Sequence, residues 1–166
     1  IADDGKAYFG FEAIDMSQEV VEAGRERLDS IKDWLNVRGQ LPNLDGEACI
    51  LRPSLNPVAE CRLTQGDLLR VYLAYLTDMA GTALSSFETD GKLVGRYAKR
   101  RFARPCWPNP QQEKWAEPLM RTMLAEAQIL ADTFSDRWSG GIDVRQLKDA
   151  VDRVRKLDTR PDYLID

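Results

Sequence analysis

The residues best equipped for chemistry gather between positions 92 and 108. Lys92, Arg96, Lys99, Arg100, Arg101 and Arg104 crowd positive charge into a short span, and Pro105-Cys106-Trp107-Pro108 follows directly. Guanidinium groups in such a patch can grip a phosphate or carboxylate through paired N–H donors. The same charges also suit a solvated strand edge, where they block mispairing. Both readings, a possible anion patch at Arg96, Lys99, Arg100, Arg101 and Arg104 and a plain charged edge, stay open. Cys106 would attack only as a thiolate, and the nearby arginines would favour that form. The chain contains no histidine. Ser-His-Asp and Cys-His catalysis, His-Glu-x-x-His zinc sites and imidazole proton shuttles are therefore excluded within it. Without a base, a buried structural thiol is the expected state of Cys106.

The other candidates carry less chemistry. Neither Gly-x-x-x-x-Gly-Lys, Gly-x-Gly-x-x-Gly nor Gly-x-Ser-x-Gly occurs. Ser139-Gly140-Gly141-Ile142-Asp143 precedes a helix and could offer backbone N–H groups to an anion, but a Gly-Gly turn serves as readily to redirect the chain. Asp3-Asp4 is an adjacent acidic pair at the start, expected to be solvated. Glu12 and Asp15 flank a helix start, where carboxylates suit the helix dipole better than they suit a catalytic pair. Trp34, Trp107, Trp115 and Trp138 are expected in core or rim packing. Cys49, Cys61 and Cys106 are odd in number and loosely spaced, which points to a reducing compartment. A Cys49–Cys61 bridge is open to the chain but is not expected.

The elements that must position these residues read as follows. Residues 6–11 form a short strand. A helix follows, capped by Asp15 with Gln18 at the capping-box position, and Val20, Val21, Gly24, Leu28, Ile31 and Leu35 make its apolar stripe. It ends near Gly39. Residues 40–63 are turn-rich, with a possible strand at 47–52. Thr64 and Asp67 then open a helix whose wide apolar arc predicts packing on more than one side. A loop over 85–95 leads to a strand at 97–106. Asn109 caps the next helix, with Pro110 at its first position and Gln112 at the capping-box position. Trp115, Leu119, Met123, Ala127 and Leu130 mark its buried stripe. Pro118 inside it predicts a kink or a restart. Asp143 caps a last helix over 143–157 with Val144, Leu147, Val151 and Val154 on one face, and Tyr163-Leu164-Ile165 reads as a further strand.

The chain has 166 residues, enough for one domain with a real core or for two small subdomains. Net charge is −4 and pI about 5.0, so nucleic acid is not the expected partner. No apolar run approaches the ~18 residues of a membrane span, and the polar, acidic start shows no signal-peptide pattern. The first residue is Ile, not Met. The chain is expected to be a piece of a longer, cytoplasmic protein.

The order of elements resembles the ATPase domain of DnaK-type heat-shock chaperones, within the actin-like ATPase superfamily. The resemblance rests on "YFGFEA" (8–13), "IKDWLN" (31–36), "LTQGDLLRVYLAYLTDMA" (63–80), "RRFARPCWPNPQQ" (100–112) and "AEPLMRTMLAEAQIL" (116–130). It spans residues 6–133 by order and spacing more than by identity. Arg104-Pro105-Cys106-Trp107 stands where that family has Val-Pro-Ala-Tyr, so an arginine replaces its hydrophobic residue. The helix at 143–157 has no usual counterpart there.

The resemblance implies an α+β, helix-dominated fold forming part of an actin-like lobe. Residues 1–95 would be an outer helical/β subdomain, and 96–166 the return strand and helices of the inner one. It implies that Lys32 faces a γ-phosphate and that Pro105 relays nucleotide state. ATP and Mg²⁺ would bind only in the full-length protein, since the phosphate loops are not among these residues. This chain alone would not hydrolyse ATP. Its expected partners are the rest of the ATPase domain and a client or co-chaperone protein, with no membrane. The alternative is a non-enzymatic helical protein-interaction domain. A third reading is a small acidic regulator that uses Arg96–Arg104 to contact phosphate or nucleic acid.

Overall fold

The structure, a computed structural model, describes residues 1–25, 50–86 and 110–157. Within them, in chain order, lie strand β1 (Lys6–Ala7) and helices α1 (Gly10–Glu22), α2 (Gln65–Ser85) and α3 (Pro110–Phe134). Strand β2 (Ile142–Asp143) and helix α4 (Val144–Arg155) complete them. The described part is thus helix-dominated, with one small antiparallel sheet. No helix of the described residues is long and apolar enough to cross a membrane.

The clearest sequence signals produce the expected local structure. Thr64 and Asp67 form a reciprocal capping box. The Asp67 backbone N–H donates to Thr64 Oγ1 and the Thr64 N–H donates to Asp67 Oδ2, each at 3.0 Å. Asp143 Oδ1 accepts from the Arg145 N–H at 2.7 Å and so caps α4. Pro110 opens α3 where its missing N–H has no cost. Asn109 lies outside the described residues, as do the expected strands at 97–106 and 163–165.

Other expectations are corrected, among them the strand over 6–11, of which only Lys6–Ala7 pairs. Asp15 does not start a helix: α1 begins at Gly10, behind an extended Phe9 with no side-chain cap. Gly10 adopts φ +60°, a left-handed turn between β1 and the helix, and a Cβ there would lie 2.7 Å from Tyr75 Oη. The expected single helix through Gly24 to Gly39 is interrupted, because Gly24 takes φ +76° just past the helix end; Leu28, Ile31 and Leu35 of the expected stripe lie outside the described residues. The Gly24 N–H donates to the Val21 carbonyl and the Arg25 N–H to the Val20 carbonyl, a Schellman closure. Pro118 does not restart α3, which runs through it as one helix, so of the expected kink or restart the restart is excluded. Pro118 and Lys114 are both exposed, so water can serve the carbonyl that the missing N–H leaves open. The possible strand at 47–52 is reduced, among described residues, to a single bridge between Ile50 and Thr64.

One hydrophobic core joins these elements, with residues from both sides of position 95. Leu63, Val71, Met123, Leu130, Phe134, Val144, Leu147 and Val151 are the largest of its fully enclosed members. The centre of α3 is covered on all sides: every residue from Met123 to Gln128 is buried. Among them Glu126, 1% exposed, pairs with Arg70 of α2, 3% exposed, at 2.6 Å. The helix at 144–155 is no addition to this core. Its Val144, Leu147, Ala150, Val151 and Val154 are all buried, as the sequence spacing predicts. Asp67, fully buried, ties α4 to the start of α2 through Lys148 at 3.3 Å and Arg155 at 3.5 Å.

The wide apolar arc of α2 is only half used. Leu69, Val71, Leu73 and Ala74 are buried, but Tyr72, Leu76, Met79 and Leu84 stand 39–49% exposed. The prediction of packing on several sides holds at the capped end and fails along this face.

The sheet pairs two similar units, each a glycine turn, a two-residue strand and a helix. Lys6 stands opposite Asp143 and Ala7 opposite Ile142. Gly5 (φ +75°) opens the first unit, and Gly140 (φ +77°) and Gly141 (φ +73°) open the second. A Cβ on Gly141 would lie 2.8 Å from the Tyr8 ring. Gly141→Ala is therefore expected to cost about 1–3 kcal/mol, from strained backbone and the clash together. Urea unfolding checks it, with Gly140→Ala as comparison, where the same φ meets open space.

Candidate functional site

The sequence-predicted site residues fall outside the described part of the molecule. These are Lys32, Pro105 and the patch of Arg96, Lys99, Arg100, Arg101 and Arg104, together with Cys49, Cys106, Trp34 and Trp107. Of the remaining candidates, Cys61 is a free buried thiol whose Sγ lies 3.4 Å from the Val144 carbonyl oxygen. Burial pushes that thiol up, away from the thiolate a nucleophile needs. Trp138 is a core residue, as expected, and donates Nε1–H to Asp78 Oδ2 at 3.1 Å.

Asp4 does not act in a carboxylate pair with Asp3. It accepts a hydrogen bond from Tyr8 Oη at 2.6 Å, and Asp3 pairs with Arg25 at 2.5 Å. The Tyr8 hydroxyl holds the Asp4 carboxyl below its ordinary range, helped by the Lys6 backbone N–H and charge. A lowered carboxylate stabilises the fold above the unfolded value of about 3.9, and that contribution fades as pH falls through the folded value. Tyr8→Phe is expected to move the Asp4 titration upward, visible in its carboxyl carbon shift by NMR, with little change in stability because the pair is exposed.

Around the Ser139-Gly140-Gly141 turn the fold builds a rigid junction. Glu12 Oε2 of α1 accepts from the Gly140 N–H at 2.9 Å, and Lys6 Nζ donates to the Gly140 carbonyl at 3.3 Å. The turn therefore presents its amide to the chain's own carboxylate, which answers the anion-binding reading of this glycine pair. Behind it, the rings of Phe9, Tyr75 and Trp138 meet at 4.9–5.5 Å between centroids, with Phe134 5.7 Å from Trp138. Tilted and edge-on contacts of this kind fix the start of α1 against α2 and α3.

The helix–turn–strand–helix of α3, β2 and α4 has the outline of a calcium-binding helix–loop–helix, with Gly140 at the sharp turn. Its donors do not fit a divalent cation. The spacing places Ser135, Arg137, Ser139, Asp143 and Gln146 at the ligand positions. Arg137 brings a fixed positive charge to one of these positions, and its Nη2 donates to Gln146 Oε1 at 3.1 Å. Asp143 is committed to the α4 cap. Among the described residues no group of three or more acidic, histidine or cysteine side chains could hold a metal ion. An open groove of about 490 Å³ runs beside Phe134, Arg137, Gln146, Asp149, Arg153 and Lys156. Cations (Arg137, Arg153, Lys156) and carboxylates (Asp149, Asp152) both line it, so it selects no single ligand charge.

The feature that departs most from a solvated protein surface is α1. No residue of this helix is buried, and Phe11, Ile14 and Val21 are 88%, 57% and 50% exposed. Its charged residues, Glu12, Asp15, Glu19 and Glu22, are all acidic. Sequence reasoning missed this face because it assigned Val20 and Val21 to a buried stripe. The signal was present in the four acids without one compensating base. The chain matches no family model, no curated protein and no solved structure.

Proposed function

We propose that this chain is a helical protein-interaction domain that works by presenting apolar helix surface to a partner polypeptide. The observation that carries this is the exposed row of Phe11, Ile14 and Val21 on a helix whose N-terminal end is locked to the core. Large side chains at such spacing are the anchors of helix-mediated recognition. The exposed Tyr72, Leu76 and Met79 of α2 extend the apolar surface available to a partner. A photo-reactive residue at position 14 tests the reading in the protein's native cells. One defined protein should be captured, and Phe11→Asp should abolish its co-purification while circular dichroism stays unchanged. Co-purification that ignores Phe11→Asp, or no capture, removes this reading.

The order of elements favours a second reading, the DnaK-like one. A capped helix at 65–85 and a proline-started helix at 110–134 stand where that resemblance expects helices. The chain would then belong to a Mg·ATP-binding chaperone-type protein, with Lys32 near the γ-phosphate and Pro105 as relay. Calorimetry of Mg·ATP binding by the parent protein, with Lys32→Ala beside it, tests this; absence of binding removes it.

A further inference from the structure

We infer that the α1 face takes a cationic amphipathic segment of a separate protein, an inference that rests on the interaction-domain reading. On a helix of 3.6 residues per turn, Glu22, Asp15 and Glu19 line the arc directly beside Phe11, Ile14 and Val21, and all three acids are exposed. Half-buried Ala13, Met16 and Val20 occupy the opposite, inward side. The face is therefore a largely apolar strip, with the exposed Gln18 among its members, bordered along one side by acids.

That border has no explanation in the helix itself. Glu19 and Glu22 sit in the last turns of α1, where the dipole disfavours negative charge, and no basic residue offsets them. Asp15 and Glu19 are one turn apart, a repulsive spacing for like charges. Among the described residues, Asp15, Glu19 and Glu22 have no ion-pair partner. The two cations flanking α1 are turned to other work. Lys6 donates to the Gly140 carbonyl, and Arg25 is held by Asp3 and the carbonyls of Ile1 and Ser54.

Charge complementarity selects the occupant. A basic segment relieves the repulsion along α1 while its apolar side covers Phe11, Ile14 and Val21. A second copy meeting this face through its own α1 would set acid against acid in a chain of net charge −4. An anionic lipid surface is repelled for the same reason. Phe11 to Val21 covers about 15 Å of helix, which matches roughly three turns of a partner helix.

The test uses the whole chain and a fluorescent Lys/Leu peptide patterned as an amphipathic helix, with a Glu/Leu peptide of the same pattern as its counterpart. The Lys/Leu peptide is expected to bind at least about tenfold more tightly than the Glu/Leu one. Its affinity should fall as salt rises from about 50 to 300 mM. Glu19→Lys should weaken binding about tenfold, and Phe11→Ser comparably. Asp149→Lys, an equal charge change at an exposed position of α4, should leave it within about twofold. Equal loss for Glu19→Lys and Asp149→Lys overturns the inference, because binding would then follow net charge alone. Equal binding of the two peptides overturns the cationic partner and leaves the interaction-domain reading standing. A carbodiimide cross-link from the α1 acids to Lys92 or Lys99 of the same chain, or to a second copy, also overturns it. If the photo-reactive residue captures nothing, the interaction-domain reading itself fails.

Discussion

Replacing Glu126 by alanine is expected to cost the fold about 3–5 kcal/mol, the usual penalty for stranding one member of a buried ion pair. Arg70 is 3% exposed and Glu126 1%, with 2.6 Å between their charged atoms. The loss comes less from the missing attraction than from the cost of keeping a buried guanidinium out of water once the Glu126 carboxylate is gone. A double replacement, Arg70→Met with Glu126→Leu, is therefore expected to recover part of it, since two apolar side chains of similar bulk need no counter-charge, although each residue also loses a further contact. Urea midpoints of the single and double variants decide the matter. If Glu126→Ala unfolds within about 1 kcal/mol of the parent, the pair is solvated in the native protein and the packing of α2 on α3 is misjudged.

The second large effect is expected at Leu147. Its side chain is fully buried in α4 beside Val144 and Val151, which are equally enclosed. Leu147→Ala is expected to cost about 2–5 kcal/mol, from lost apolar burial plus the cavity left behind. The position matters beyond the number. The DnaK-like resemblance makes the helix at 143–157 an extra element, and an extra helix could loosen without harm to the rest. In the structure α4 packs on both α2 and α3. Its Asp67 contacts reach the capping box of α2. Lys148 keeps its proton there to higher pH than usual: burial opposes the charge, but Asp152 and Asp67 outweigh it. Unfolding of Leu147→Ala should accordingly lower the stability of the whole described core in one transition. An early, separate loss of α4 alone would contradict this.

How much of this could be read from the sequence depends on how local the cause is. The caps at Thr64 and Asp143, the start at Pro110 and the buried face of α4 were legible because each is decided within four residues. The start of α1 was not. It depends on β1 pairing with Ile142–Asp143 and on the ring of Phe9 seating against Tyr75 and Trp138, all distant in sequence. Gly24 looked like one more small residue in an apolar stripe, yet its left-handed backbone ends the helix. The Arg70–Glu126 pair was hidden for a different reason. Charged residues on helices are ordinarily wet, and nothing in the spacing of either helix says that they face each other. The exposed face of α2 misled in the opposite sense, since apolar periodicity reports what a surface can bury and not what covers it. For the candidate site, the acidity of α1 was legible and its direction was not: only the fold shows that Phe11, Ile14 and Val21 point away from the core. Lys32, Pro105 and the basic run through Arg104 lie outside the described residues, so the first two remain expectations from the resemblance and the third an expectation from clustered charge.

The central claim, that α1 is the recognition element, is tested most directly by residue-resolved hydrogen exchange of the whole chain with and without the Lys/Leu peptide. Helix ends and faces with few buried contacts exchange fast, and a bound partner slows them. Slowed exchange is expected across Gly10–Glu22, with the buried centre of α3 unchanged. Protection confined to the groove beside Arg137 and Arg153, or no protection within α1 at saturating peptide, would contradict the account.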